Sequence, residues 1–179
     1  MMRRMFRRQI RKTLAPAVPP ILQEANFALS KGEYGRAAEL LEQIARAADG
    51  RGGPRAPLFH LQAGRARLLA GQAALGIPSL KRGLELLAQR GQFQRLAEAG
   101  RRTIGELNEH GLKAEASAME AWLQSVLPAA VSPVMPVKRG ILPTHCPSCG
   151  APLRPDEVEW LDEMTAECGY CGSPVRETP

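Results

Sequence analysis

The chain has few aromatic residues: two Trp, two Tyr and four Phe in 179, or 4%. A core so poor in rings must be built mainly from Leu and Ala. That suits closely packed helices better than sheets of aromatic and β-branched residues. No apolar run approaches the ~20 residues a helix needs to cross a bilayer. Neither a G-x-x-x-x-G-K-[ST] loop nor a G-x-S-x-G elbow occurs, so two common enzyme signatures are missing. Cysteine is absent before Cys146. No segment has the long apolar core of a secretory signal, so a reducing, cytoplasmic setting is expected, where paired cysteines favour metal over disulfide.

What is present is globular in composition, with 44% hydrophobic and 23% charged residues, which excludes a disordered chain. The net charge of +6 is unevenly placed. Residues 1–19 carry Arg3, Arg4, Arg7, Arg8, Arg11 and Lys12 and no acid. Residues 20–143 carry 16 basic and 11 acidic groups, and residues 144–179 carry 2 basic and 7 acidic ones. The C-terminal segment is therefore acidic (net −5) and repels phosphate, whatever the pI of the whole chain.

The chain divides into four stretches: a basic arm (1–19), a helical domain (20–127), a proline-rich linker (128–143) and a cysteine-bearing module (144–179). In the arm, Met2, Phe6, Ile10 and Leu14 recur every fourth residue among the arginines. Three readings stay open: an amphipathic contact with an anionic membrane surface through residues 1–14, contact with nucleic-acid phosphates, or a solubilising tail. Arginine richness without acids also fits an organellar transit peptide, although the arm is poor in Ser. The linker holds Pro128, Pro133, Pro136 and Pro143, which exclude a regular helix. Its apolar Val134, Met135, Val137, Ile141 and Leu142 are unusual for a freely solvated tether.

Helical periodicity runs from Ile21 to Leu127. Ala37, Leu41, Ile44 and Ala48 form one stripe; Ile77, Leu80, Leu84 and Leu87 form another. Leu112, Ala116, Met119, Leu123 and Val126 form a third. Helices are expected at 20–31, 34–48, 57–70, 77–89, 92–109 and 112–127, making three hairpins that turn at Gly32, Gly71 and Gly111. Those glycines are almost evenly spaced, and a near-regular spacing of turns predicts a solenoid of stacked helix pairs.

Lys31-Gly32-Glu33-Tyr34 with Ala37, Leu41 and Ile44 resembles the second-helix half of a tetratricopeptide (TPR) repeat. Gly91-Gln92-Phe93 echoes that turn, and Gly64, Leu68 and Gly71 resemble a first-helix half. The spacing is longer than the usual TPR period, the signature Trp is missing, and Gly76 stands where the motif has Ala. The resemblance implies helix hairpins and a protein-binding surface.

Cys146-Pro-Ser-Cys149-Gly150 and Cys168-Gly-Tyr-Cys171-Gly172 make a C-x2-C-x18-C-x2-C pattern. Two thiolates separated by two residues can face one ion across a tight turn, and the glycine after each pair permits its backbone angles. Four sulfurs suit one tetrahedral, structural Zn²⁺; iron in a four-sulfur site is the chemical alternative. Val158–Trp160 and Thr165–Glu167 fit the strands of a hairpin between the knuckles. The segment 144–175 resembles the zinc-ribbon family, which implies a closed site and no particular activity. His145, beside Cys146, is expected to be a bystander.

His60 and His110 stand near predicted helix ends without an acidic or cysteine cluster, which assigns them capping or surface roles. Gly50, Gly52 and Gly53 with Arg51 and Arg55 read as a flexible loop able to meet an anion. Arg65, Arg67, Lys81, Arg82, Arg90, Arg95, Arg101 and Arg102 read as a solvated face or as a docking surface for an acidic partner, including the chain's own acidic ribbon. The expected fold is mainly α, a helical-hairpin solenoid with a small C-terminal β zinc ribbon. The expected function is a non-enzymatic adaptor with a protein partner. Alternatives are a nucleic-acid- or ribosome-associated factor and a peripheral membrane protein.

Overall fold

The computed structural model describes residues 18–128, 141–155, 158–160 and 164–176. The stripe Met2, Phe6, Ile10, Leu14 and the linker residues Val134, Met135 and Val137 lie outside the described residues. Those described form two compact units, one over residues 24–128 and one holding residues 18–23 and 141–176.

Six helices are seen among the described residues: α1 Pro20–Ser30, α2 Tyr34–Gly50, α3 Ala56–Leu69, α4 Ala73–Gln89, α5 Phe93–Glu109 and α6 Lys113–Val126. Five of the expected helices keep their places closely at both ends. The fourth starts at Ala73 rather than at Ile77, where the sequence pattern placed it. Pro78 sits inside it, on the exposed side. Its ring removes one helical N–H, and water can serve the carbonyl so freed. Gly76, the other apparent breaker, is buried in a helix contact.

One device ends every helix from α1 to α5. Gly32, Gly52, Gly71, Gly91 and Gly111 all have φ between 65° and 75°. Each glycine N–H bonds the carbonyl three residues back, and the next N–H bonds five residues back. At α3 these bonds are Gly71 to Leu68 at 2.9 Å and Gln72 to Arg67 at 2.8 Å. This is the glycine-closed C-cap, which needs the left-handed backbone that a Cβ disfavours. The sequence pattern showed the turns at Gly32, Gly71 and Gly111. The structure halves that period, because Gly52 and Gly91 close helices in the same way midway between them. The segment around Gly52 is no loose loop. Gly53 N bonds Ala48 O at 2.8 Å, and the Arg90 guanidinium donates to the Gly53 and Pro54 carbonyls, both at 2.9 Å.

Helix α3 packs against both α2 and α4 and is buried on nearly all sides. That explains why it showed no stripe: a helix covered all round has no polar face. Its glycine brings α4 unusually near. A Cβ on Gly64 would lie 2.5 Å from Leu80 Cγ and 2.9 Å from Gly76 O. A Cβ on Gly76 would lie 2.7 Å from Gly64 O. So the position where a TPR has Ala cannot here take even a methyl group. Gly100 plays the same part between α5 and α6, where Leu123 fills the space a Cβ would need. Leu61, Leu68, Leu80, Leu84, Leu87, Leu96, Leu107, Met119 and Leu123 form the continuous core.

The arginines expected on a solvated face are mostly spent inside this unit. Arg67, only 8% exposed, makes a two-pronged pair with Glu42 of α2 (2.7 and 3.0 Å) and also reaches Gln72. Arg65 pairs with Glu106 of α5 at 2.9 Å, and Arg82 of α4 holds Asp49 of α2 by two bonds of 2.9 and 3.2 Å. Such planar, two-pronged pairs fix direction as well as distance. His60 is not at a surface: it is buried in α3, with Nε2 3.3 Å from Asp49 Oδ2 but off the line of a hydrogen bond. An acidic neighbour is therefore present after all, brought from α2 by the fold. His110 is exposed at the C-terminal end of α5, where its backbone N–H bonds Glu106 O.

The C-terminal unit carries three short antiparallel strands in the order β1-β2-β3: β1 Glu159–Trp160, β2 Thr165–Glu167 and β3 Pro174–Arg176. The first two were legible in the sequence; β3 was missed. It opens with a proline, which an edge strand tolerates because its N–H is not needed in the ladder. Ala166 faces Val175 across the β2–β3 pair, and both are buried.

This packing sets the response to two perturbations. Gly76→Ala should lower stability by ~1–3 kcal/mol through overpacking, although Ala is the better helix former by ~1 kcal/mol. A thermal melt at or above the wild-type midpoint would contradict the close contact. Burial holds His60 below the ordinary histidine range, against the pull of Asp49. The folded chain then binds fewer protons than the unfolded one, so stability should fall as pH drops below ~6.5. Asp49, held low by the Arg82 hydrogen bond, loses its contribution only at more acidic pH. Urea midpoints at pH 7.5 and 5.5 should differ for the wild type and differ less for His60→Gln.

Candidate metal centre

Two turns of the same design build the cysteine site. In the first, Cys146 N bonds Ala151 O at 2.8 Å and Gly150 N bonds Cys146 O at 2.9 Å. In the second, Cys168 N bonds Ser173 O at 2.9 Å and Gly172 N bonds Cys168 O at 2.8 Å. Gly150 (φ 71°) and Gly172 (φ 75°) take the left-handed conformation that each turn requires. The His145–Pro152 bridge steadies the first knuckle, and the β2–β3 pair carries the second.

The turns aim four sulfurs at one point. All four Sγ atoms lie within 4.8 Å of one another, with Cys146–Cys171 at 3.7 Å and Cys149–Cys168 at 3.8 Å. Sulfurs bound tetrahedrally at ~2.3 Å would be about 3.8 Å apart. The observed separations match that edge and far exceed the ~2.05 Å of a disulfide. None of the four cysteines forms a disulfide. The group could hold one metal ion, and no fifth protein donor joins it among the described residues. His145 is not in the cluster; its Nδ1 lies 3.1 Å from Thr144 Oγ1.

Electrostatics makes the same point. Burial raises the Cys149 thiol far above its usual range, opposed only in part by the Ala151 N–H. Burial likewise pushes Cys168 up to about 12, against N–H bonds from Cys171 and Tyr170. For Cys171 burial pulls upward too, but the Ser173 hydroxyl and N–H, with the neighbouring thiols, outweigh it and lower the value. Buried thiolates need a compensating positive charge, and a bound dication supplies it by deprotonating its ligands. The arrangement fits a metal.

No protein-family model matches this chain, and no solved structure does. A DNA ligase of Paenarthrobacter aurescens (strain TC1) is 37% identical over 60 residues. That stretch is 29% of this chain and 8% of the ligase, so this chain spans only a small part of that protein.

Elemental analysis of the purified chain should find one metal ion per molecule. Loss of an outer partner of a metal ligand costs ~10–100-fold in affinity, so Cys168→Ser should cost at least that. Chelation should collapse the amide signals of Ala166 and Val175 in NMR spectra while helical circular dichroism persists. Intact sheet signals without metal would contradict a metal-dependent fold.

Proposed function

We propose that this protein is a non-enzymatic interaction scaffold, with a TPR-like helical unit as its contact surface and a structural zinc ribbon as its second module. The observation that carries the reading is the recurrence of one helix-closing turn, evenly spaced, at Gly32, Gly52, Gly71, Gly91 and Gly111. Stacked, evenly spaced helices present long side-chain surfaces, and repeat proteins use such surfaces for partners. One concave feature lies between α2, α3 and α4, a pocket of about 270 Å³. Its walls combine Glu42, Arg46 and Arg67 with Ala74, Leu75 and Pro78, and Leu75 is exposed. Mixed polar and apolar walls suit a peptide side chain.

Zinc is the preferred metal because four sulfurs in a tetrahedral cluster select zinc or iron–sulfur chemistry, and a site closed by four protein ligands is structural. Unbridged thiols placed to hold a metal fit a reducing, cytoplasmic setting. No helix among the described residues is long and apolar enough to cross a membrane.

A nucleic-acid-associated factor is the second reading, favoured by the short likeness to a DNA ligase. The acidic charge of residues 144–179 weighs against phosphate contact by the ribbon. Affinity capture of the tagged chain from its native extract, with and without nuclease, separates the two. Defined protein partners that survive nuclease are the expected result. A bound set that collapses to background after nuclease would overturn the scaffold reading.

A further inference from the structure

The two knuckles are built alike but are not equally covered. Cys146, Cys149 and Cys168 are 2%, 6% and 1% exposed, whereas Cys171 is only part-buried. The residue two places after each second cysteine sharpens the difference. In the first knuckle it is Ala151, fully buried. In the second it is Ser173, part-exposed, with its hydroxyl 3.3 Å from Cys171 Sγ. Cys171 is thus the least covered of the four cysteines.

We propose that Cys171 is the modification site through which the metal centre opens, the thiolate that peroxides reach first, with Cys146 as its resolving partner. The inference rests on the zinc reading above. Access decides which thiolate reacts when four share one ion. The Cys171 thiolate attacks one oxygen of a peroxide; an S–O bond forms, the O–O bond breaks, and hydroxide leaves. Cys171 is oxidised to a sulfenic acid and the peroxide is reduced. Cys146, whose sulfur stands 3.7 Å away, then attacks the sulfenic sulfur. An S–S bond forms, the S–O bond breaks, and a second hydroxide leaves.

Only Cys149 and Cys168 would then remain as thiolates to hold an ion, and the four-sulfur site would be lost. The Cys149–Cys168 pair is as close, at 3.8 Å, but both of its members are buried. All four cross-knuckle pairs lie within 4.8 Å; exposure selects Cys171 as the first to react, and the 3.7 Å separation selects Cys146 as its partner. A peroxide would thus convert the ribbon to a cross-linked form unable to hold a metal with four sulfurs.

The test uses the unmutated full chain, so a misfolded variant cannot confuse it. Bound metal is measured first. Hydrogen peroxide is then added below one equivalent, free thiols are trapped with N-ethylmaleimide, and disulfides are mapped by mass spectrometry. Released zinc is followed with a chromogenic chelator. The expected product is the Cys146–Cys171 disulfide, several-fold in excess of any other, with zinc released in proportion. A first product joining Cys149 to Cys168, or joining either C-x-x-C pair, overturns this inference while leaving the metal site standing. A purified chain without bound metal overturns the zinc reading and this inference together.

Discussion

Four thiolates cannot share a buried corner of a protein unless a cation sits among them. That constraint organises the C-terminal unit. The strands are very short, and besides Cys146, Cys149 and Cys168 the buried residues among those described are Leu142, Ala151, Leu153, Ala166, Tyr170 and Val175. Such a core is too small to offset the entropy of ordering the segment. A bound ion would supply free energy through its ligand bonds, so the turns that aim the sulfurs matter more than the sheet that joins them. The backbone bonds repeated in both knuckles, and the two left-handed glycines that permit them, do that aiming.

The helical unit obeys a different rule. Its core is made of Leu and Ala, so stability depends on how near the helices come rather than on the bulk of their side chains. Gly64 and Gly76 remove the methyl groups that would hold α3 and α4 apart. Arginine pairs then set how each helix is turned: Arg67 to Glu42, Arg82 to Asp49 and Arg65 to Glu106 link four helices through charges that are at least half-buried. Breaking one partner of the Arg67–Glu42 pair would strand a charge in a covered site, which costs more than the intact pair contributes.

Much of this is legible in the sequence. The stripes through Leu41, Leu84 and Met119 mark core-facing sides because amphipathic helices advertise them. The cysteine spacing points to the sulfur cluster because few other arrangements use two C-x-x-C pairs. What stays hidden depends on contacts distant in sequence. Nothing near His60 announces Asp49, which comes from another helix. The arginines of α3 and α4 look like a solvated face because their carboxylate partners belong to other helices, far along the chain. The expected fourth helix starts only at Ile77, after Gly76, because propensity weighs residues singly, whereas packing against Gly64 makes the glycine an asset. β3 escapes because so short a strand, led by a proline, has no periodicity to detect.

X-ray absorption at the zinc edge of the purified chain tests the four-sulfur centre most directly. The prediction is a single shell of four sulfur scatterers at ~2.3 Å, with no nitrogen or oxygen neighbour. A first shell containing nitrogen or oxygen, or no zinc edge at all, would contradict it.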